Sequence, residues 1–325
     1  MLFLNTTLSG IEFGLCYAIL ALGLYISYTI LDFPDLSVDG TFPLGGVIGT
    51  IVMYNLGMPP IVALIAAFLA GMAAGSITGL LHVKCGISKL LCGIIVMTAL
   101  SSVTLALTMI LTQRGQPAVL FDFVGNQIRG FFNMELTDGF TRMQKMLLSI
   151  AILVFILFVV KVLVDLFLKT KIGYMLRATG NNEQMVVAMG KDPGNFKILG
   201  LSLANGLVGI SGCLYAQLML QYDNGSGAGK VVIALASVIM GVTLFGNFKH
   251  LKGTTSVIIG ALIYSLVLYY FTLIDKNGIF LKLFNAVFFA AILIFSNKFK
   301  DFHSKGAKAL FKPKSETASS DGEKK

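Results

Sequence analysis

The chain has 325 residues, of which 56% are hydrophobic and 13% carry charge, whereas a soluble domain has about 25% charged residues. That composition excludes an ordinary soluble domain and describes an all-α polytopic membrane protein, because its apolar runs are continuous rather than alternating as in a barrel. The net charge of +9 is dispersed over connections and a tail, as sorting of cations to one membrane face arranges it, so no nucleic-acid partner is implied.

A hydrocarbon core about 30 Å thick needs about 20 apolar residues per helix. Charge-poor runs predict nine spans, within a range of eight to ten, at about 8–31, 41–57, 60–81, 87–112, 146–168, 198–221, 231–246, 253–273 and 280–297. The first run has no Lys or Arg before it and is too long for the apolar core of a signal peptide, so it reads as a retained span. An odd count puts the termini on opposite faces. With the N-terminus outside, inner segments hold 17 of the 25 Lys and Arg, so the C-terminus is expected in the cytoplasm.

In chain order, the first unusual segment is 31–40, LDFPDLSVDG, which carries three aspartates and no cation where an inner loop should be basic. Pro34 and Gly40 can interrupt a helix, and Ser37 or Asp39 can cap the next one. Broken backbone at membrane depth is tolerated only when it is buried in protein or lines a cavity, so Asp35, Ser37 and Asp39 are expected in the transport path. Gly71, Gly75 and Gly79, four residues apart, give the third span a face that a neighbouring helix can approach closely. The outer loop 113–145 carries mixed charge, including Arg114, Asp122, Arg129, Glu135 and Asp138. It suits docking of an extracellular partner as well as plain solvation.

Residues 169–197 form a long basic segment between spans, with Asp192, Pro193 and Gly194 supplying a turn. Met175, Leu176 and Ala178, then Met185, Val186, Ala188 and Met189, predict one or two short surface helices. From the residues alone this is either a solvated loop that sets topology or a docking element for a soluble partner. The following span is rich in small residues from Gly200 to Gly212, and Asn205 within it must face protein or a cavity, since an amide in lipid is costly. Residues 224–231, NGSGAGKV, look like a phosphate loop but have Asn224 and Val231 where that motif needs Gly and Ser or Thr. They read instead as a flexible lead into a short helix.

A glycine-bearing turn, a short span and a longer span with small residues occur twice, at 40–81 and 225–273, in opposite directions. That is the pattern of an inverted repeat with a path near the midplane. No catalytic or metal-binding constellation is present. His82, His250 and His303 lack metal spacing, and Cys16, Cys85, Cys92 and Cys213 include no CxxC pair and are expected to be buried thiols. Glu12, Lys161 and Asp165 lie near span ends, and so few ionisable groups in the spans argue that the driving energy comes from outside the chain. Two units follow: a transmembrane domain 1–297 and a basic tail 298–325, expected to be disordered, whose lysines reach solvent or anionic lipid.

Residues 9–23 (SGIEFGLCYAILALG), 35–40 (DLSVDG), 173–183 (GYMLRATGNNE) leading to Met189, Gly190 and Lys191, the small-residue run 200–212, and Gly227–Gly229 leading to 234–241 (ALASVIMG) together resemble the permeases of branched-chain amino acid, ribose and nucleoside ABC importers. The resemblance runs to about residue 297. The DLSV stretch is similar to sugar-type permeases, and the overall sequence to a branch linked to aromatic amino acid uptake. It implies a bacterial plasma-membrane permease dimer working with a cytoplasmic ATPase pair and an extracytoplasmic solute-binding protein, with no cofactor and no hydrolysis by the chain itself. The segment matching the family's coupling helix is Arg177, Ala178, Thr179, Gly180, Asn181, Asn182 and Glu183, continuing to Gly190. ATP-driven closure of the ATPases would push this segment and tilt the helices. The solute it implies is an amino acid, a nucleoside or a sugar.

Overall fold

A computed structural model describes residues 2–112, 118–120, 131–132, 141–246, 251–275 and 279–310. Within them, a helix stands at each predicted span: α1 (Leu2–Leu24), α2 (Val38–Tyr54), α3 (Pro60–Val83), α4 (Lys89–Thr112), α5 (Arg142–Leu168), α8 (Pro193–Met219), α9 (Lys230–Phe245), α10 (Gly253–Ile274) and α11 (Leu281–Leu310). The long connection adds two short helices, α6 (Lys171–Asn181) and α7 (Glu183–Ala188). Seven of the described helical stretches are long and apolar enough to cross a membrane, and Val38–Tyr54 and Leu281–Ser296 are shorter apolar helices. The chain is an all-α polytopic membrane protein.

Local chemistry sets the boundaries. Pro60 and Pro193 occupy first helical turns, where the missing N–H costs nothing. Thr170, Asn182 and Asp192 cap α6, α7 and α8 by accepting from the backbone N–H of Gly173, of Gln184 and Met185, and of Gly194. After Leu24 the first helix widens into a π-helical turn, Tyr25–Ile30, and the chain then leaves helical geometry at Asp32, where φ is +51°. Aspartate tolerates that left-handed conformation better than most residues.

Two helices form the centre. The spans built on α1 and α8 are 83% and 72% buried, against 28–33% for α3, α4, α5 and α10, so the latter four present apolar faces such as Ile61, Ile65, Phe155 and Leu163 outward to the hydrocarbon. In lipid, helices associate through close packing of small residues. The glycine stripe of α3 does this: a Cβ on Gly71, Gly75 or Gly79 would strike Asn205, Leu201 or Ile198 of α8. On the other side, Gly10 and Gly14 of α1 rest on Leu262, Ser265 and Leu266 of α10. Thus α3 packs on α8 as α10 packs on α1, and of the short helices α2 packs against α8 and α9 against α1.

Two strands interrupt the helical pattern. β1 (Ala118–Leu120) pairs antiparallel with β2 (Gln221–Asp223), with Val119 opposite Tyr222. Three-residue strands carry no readable alternation, which is why no strand was expected there. Most of the outer loop, including Arg114, Asp122, Arg129, Glu135 and Asp138, lies outside the described residues, as do Lys249, His250, Lys276 and 311–325. Helix α11 runs through Leu310, thirteen residues beyond the 297 boundary and into the segment expected to be a disordered tail.

Candidate translocation site

The broken segment 31–37 returns into the protein and is fixed to α8. Asp35, Ser37, Thr41 and Asn205 are at most 2% exposed. The Asn205 amide donates to Asp35 Oδ2 at 2.6 Å and to the Leu201 carbonyl at 3.1 Å. Its oxygen accepts from Ser37 Oγ at 3.2 Å and Thr41 Oγ1 at 2.8 Å, and Asp35 Oδ1 accepts from the Ser37 backbone N–H at 2.8 Å. Asn205 is the thirteenth residue of the 27-residue α8, so the break sits opposite the middle of that helix. Asp35, Ser37 and Asn205, three of the four predicted path residues, therefore form one closed and satisfied cluster. Thr41 completes it.

Asp39 faces elsewhere, and the expected capping is corrected. Ser37 stands at the N-cap of α2 but makes no cap bond, because its hydroxyl is committed to Asn205. Asp39 instead caps α9, accepting from the Gly229 N–H at 3.1 Å and the Val231 N–H at 2.8 Å. A carboxylate at helix N-termini satisfies orphan donors and complements the dipole. The N-termini of the two short helices consequently meet, and Gly227 lies so close to the Asp39 carbonyl that a Cβ would clash.

Beside that junction lies a lysine from the 224–231 lead, which the sequence analysis did not single out. Lys230 opens α9 and is only 7% exposed. Its ammonium donates to Tyr17 Oη at 2.8 Å and lies 4.4, 4.6 and 5.1 Å from the ring centres of Tyr215, Tyr17 and Phe42. Phe13 stacks on Tyr269 at 5.1 Å and meets Tyr215 edge-on at 5.6 Å, extending the aromatic wall. A signal was present in the sequence: a lysine in the first turn of an apolar helix opposes the helix dipole. Next to the cage, a polar cavity of about 70 Å³ has Gly212, Tyr215, Gln221, Tyr222, Asp223 and Ser226 in its lining.

The predicted coupling residues lie beside the π-helical turn that follows α1. On α6, Gly173, Leu176 and Thr179 face inward while Arg177 and Asn181 are exposed. Gly180 lies directly against the carbonyl of Ile30, where no Cβ fits. Leu176 and Leu31 both press on Gly200 of α8. Asn182 caps α7, Glu183 pairs with the largely buried Lys197 of α8, and Gly190 closes the turn at φ +68°. Met185, Val187 and Met189 project outward, 52%, 59% and 49% exposed. Ala178 is half-buried between the two faces.

A sequence profile described as branched-chain amino acid transport system / permease component matches residues 6–296. The chain belongs to this permease family. It is 40% identical over 284 residues, 87% of its own length and 89% of the relative's, to the tyrosine transport system permease protein of Clostridioides difficile strain R20291. It is 32% identical to the uncharacterized protein RP368 of Rickettsia prowazekii strain Madrid E, covering 86% of this chain and 94% of that one. More distantly, it is 26% identical to the ribose import permease protein RbsC of Escherichia coli strain K12, covering 81% and 77%. No solved structure matches the chain.

Among the described residues of the permease, no group of three or more His, Cys, Asp or Glu side chains is placed to hold a metal ion. Cys16, Cys92 and Cys213 are buried as expected, whereas Cys85 is exposed in the turn between α3 and α4. His82 hydrogen-bonds the Ile87 carbonyl at 2.8 Å and packs edge-on against Phe33. Asp165 accepts from Lys252 at 3.0 Å and Thr254 at 2.6 Å, which ties α5 to the start of α10.

Proposed function

We propose that this permease forms the path by which an amino acid crosses the bacterial plasma membrane in an ABC importer, driven by a separate cytoplasmic ATPase and supplied by an extracytoplasmic solute-binding protein. The observation that carries the reading is 40% identity, over nearly nine-tenths of both chains, to a protein named as a tyrosine transport permease. The chain hydrolyses nothing itself.

In this reading the chain crosses the membrane nine times, with the N-terminus outside and the C-terminus inside, and works as a homodimer. The mirrored packing of α3 on α8 and α10 on α1, with two short helices meeting at their N-termini, supports an inverted repeat. Met185, Val187 and Met189 dock on the ATPase. A push on α6 reaches Ile30 through Gly180, where there is no side chain to absorb it, and passes to Leu31 and the 31–37 segment. The Asp35, Ser37 and Asn205 cluster is the lock that holds this segment in place, and Asp39 holds the opposing helix. The path opens between them when the lock yields.

Reconstituting the permease in proteoliposomes with the ATPase and solute-binding protein encoded beside it tests this. Labelled tyrosine or another amino acid is expected to accumulate only with ATP. Uptake of ribose or a nucleoside alone would make it a sugar-type permease. Uptake that persists without the ATPase under an ion gradient would make it a secondary carrier.

A further inference from the structure

Resting on that reading, we propose that the Lys230 cage is the point in the path that receives the carboxylate of the translocated amino acid, with the surrounding aromatic faces taking a flat side chain. An ammonium inside a membrane protein is costly unless it pairs or serves a function. Lys230 has three donors, and the described structure gives one of them, to Tyr17 Oη, together with three ring faces. Among the described residues no carboxylate forms an ion pair with it. A cation used for helix stability would stand at the C-terminus of α9, not in its first turn.

Three further features converge there. The first-turn N–H groups of α9 and the Lys230 charge both favour an anion. Asp39, bonded to the residues on either side of Lys230, supplies the opposite charge for an α-ammonium group. Tyr215 is shared between the cage and the polar cavity beside β2, so the cage adjoins a water-compatible space. That cavity, about 70 Å³, is smaller than an aromatic amino acid, so the site must widen when the solute enters. A neutral sugar has no group that needs a buried ammonium, so the site selects for a carboxylate-bearing solute.

Two measurements test the proposal. In the assembled importer, judged by co-purification of the ATPase, Lys230→Met is expected to lower amino acid uptake at least tenfold and Lys230→Arg to restore part of it. If Lys230→Met does not assemble, Tyr17→Phe and Lys230→Arg are expected to raise the half-saturating concentration at least threefold. On the full chain in nanodiscs, saturation-transfer NMR should give L-tyrosine at least threefold more signal than tyramine, which lacks the carboxylate, and Lys230→Met should erase that difference. Uptake by the lysine variants within twofold of wild type, or equal signals from tyrosine and tyramine, would overturn the site while leaving amino acid import standing. Absence of any amino acid uptake by the wild-type importer would overturn the functional reading and the site with it.

Discussion

At the residue scale, the Asn205 cluster concentrates the most polar bonding in the least accessible place. Its amide and oxygen serve Asp35, Ser37, Thr41 and Leu201 together. Removing a partner from buried polar groups leaves them unsatisfied at about 1–3 kcal/mol each, more for a charged one. Asn205→Ala takes the amide donor from Asp35 Oδ2 and the acceptor from Ser37 Oγ, while Thr41 keeps the Ser37 carbonyl, and is expected to cost about 3 kcal/mol. The check is a lower midpoint of thermal unfolding in detergent, with the midpoint regained when Asp35→Ala is added, because the second change removes the carboxyl group left short of a donor. Asp39→Ala removes the cap of α9 at about 1 kcal/mol, so the amides of Gly229 and Val231 should exchange with deuterium about fivefold faster. Asn205 and the aspartates were legible in the sequence because amides and carboxylates stand out in apolar surroundings. Lys230 was legible only as a lysine out of place in the first turn of an apolar helix, and Tyr17, Phe42 and Tyr215 look like any apolar filling until the fold gathers them.

At the element scale, the helices were readable as elements, because long uncharged runs leave the backbone no other way to satisfy its hydrogen bonds in lipid, though α1 starts before and α11 ends well beyond the predicted span. The glycine stripe of α3 was equally plain. What lay beyond reading was where non-helical backbone would go: the π-helical turn, the three-residue strands and the capping of one short helix by another depend on partners far away in sequence. The α6 contact gives a sharp test. Gly180→Val puts a branched side chain where Gly180 meets the Ile30 carbonyl. Membrane insertion should be normal while ATP-driven uptake falls about tenfold, an expectation resting on misplacement across a coupled contact. Uptake at the wild-type level would show that α6 does not transmit force through that point.

At the scale of the whole molecule, orientation and assembly are open to direct measurement. Cys85 is exposed while Cys16, Cys92 and Cys213 are buried, so a membrane-impermeant maleimide reports the side on which the α3 to α4 turn emerges. Labelling is expected in inverted vesicles and not in intact cells. The opposite result would reverse the orientation. Replacing Met185 and Val187 by glutamate should leave the permease monodisperse but abolish co-purification of the ATPase, since both side chains are more than half exposed and contribute little to the fold.

The small ribbon of β1 and β2 carries a last implication. By lashing Val119 to Tyr222, it fastens the connection after α4 to the stretch that leads, within eight residues, to the Asp39-capped start of α9. In the proposed reading, a macromolecule landing there would hold a rein on the second short helix, just as α6 would on the first. Cargo delivery and nucleotide work would then be two hands on the same rope, each able to feel whether the other has taken hold.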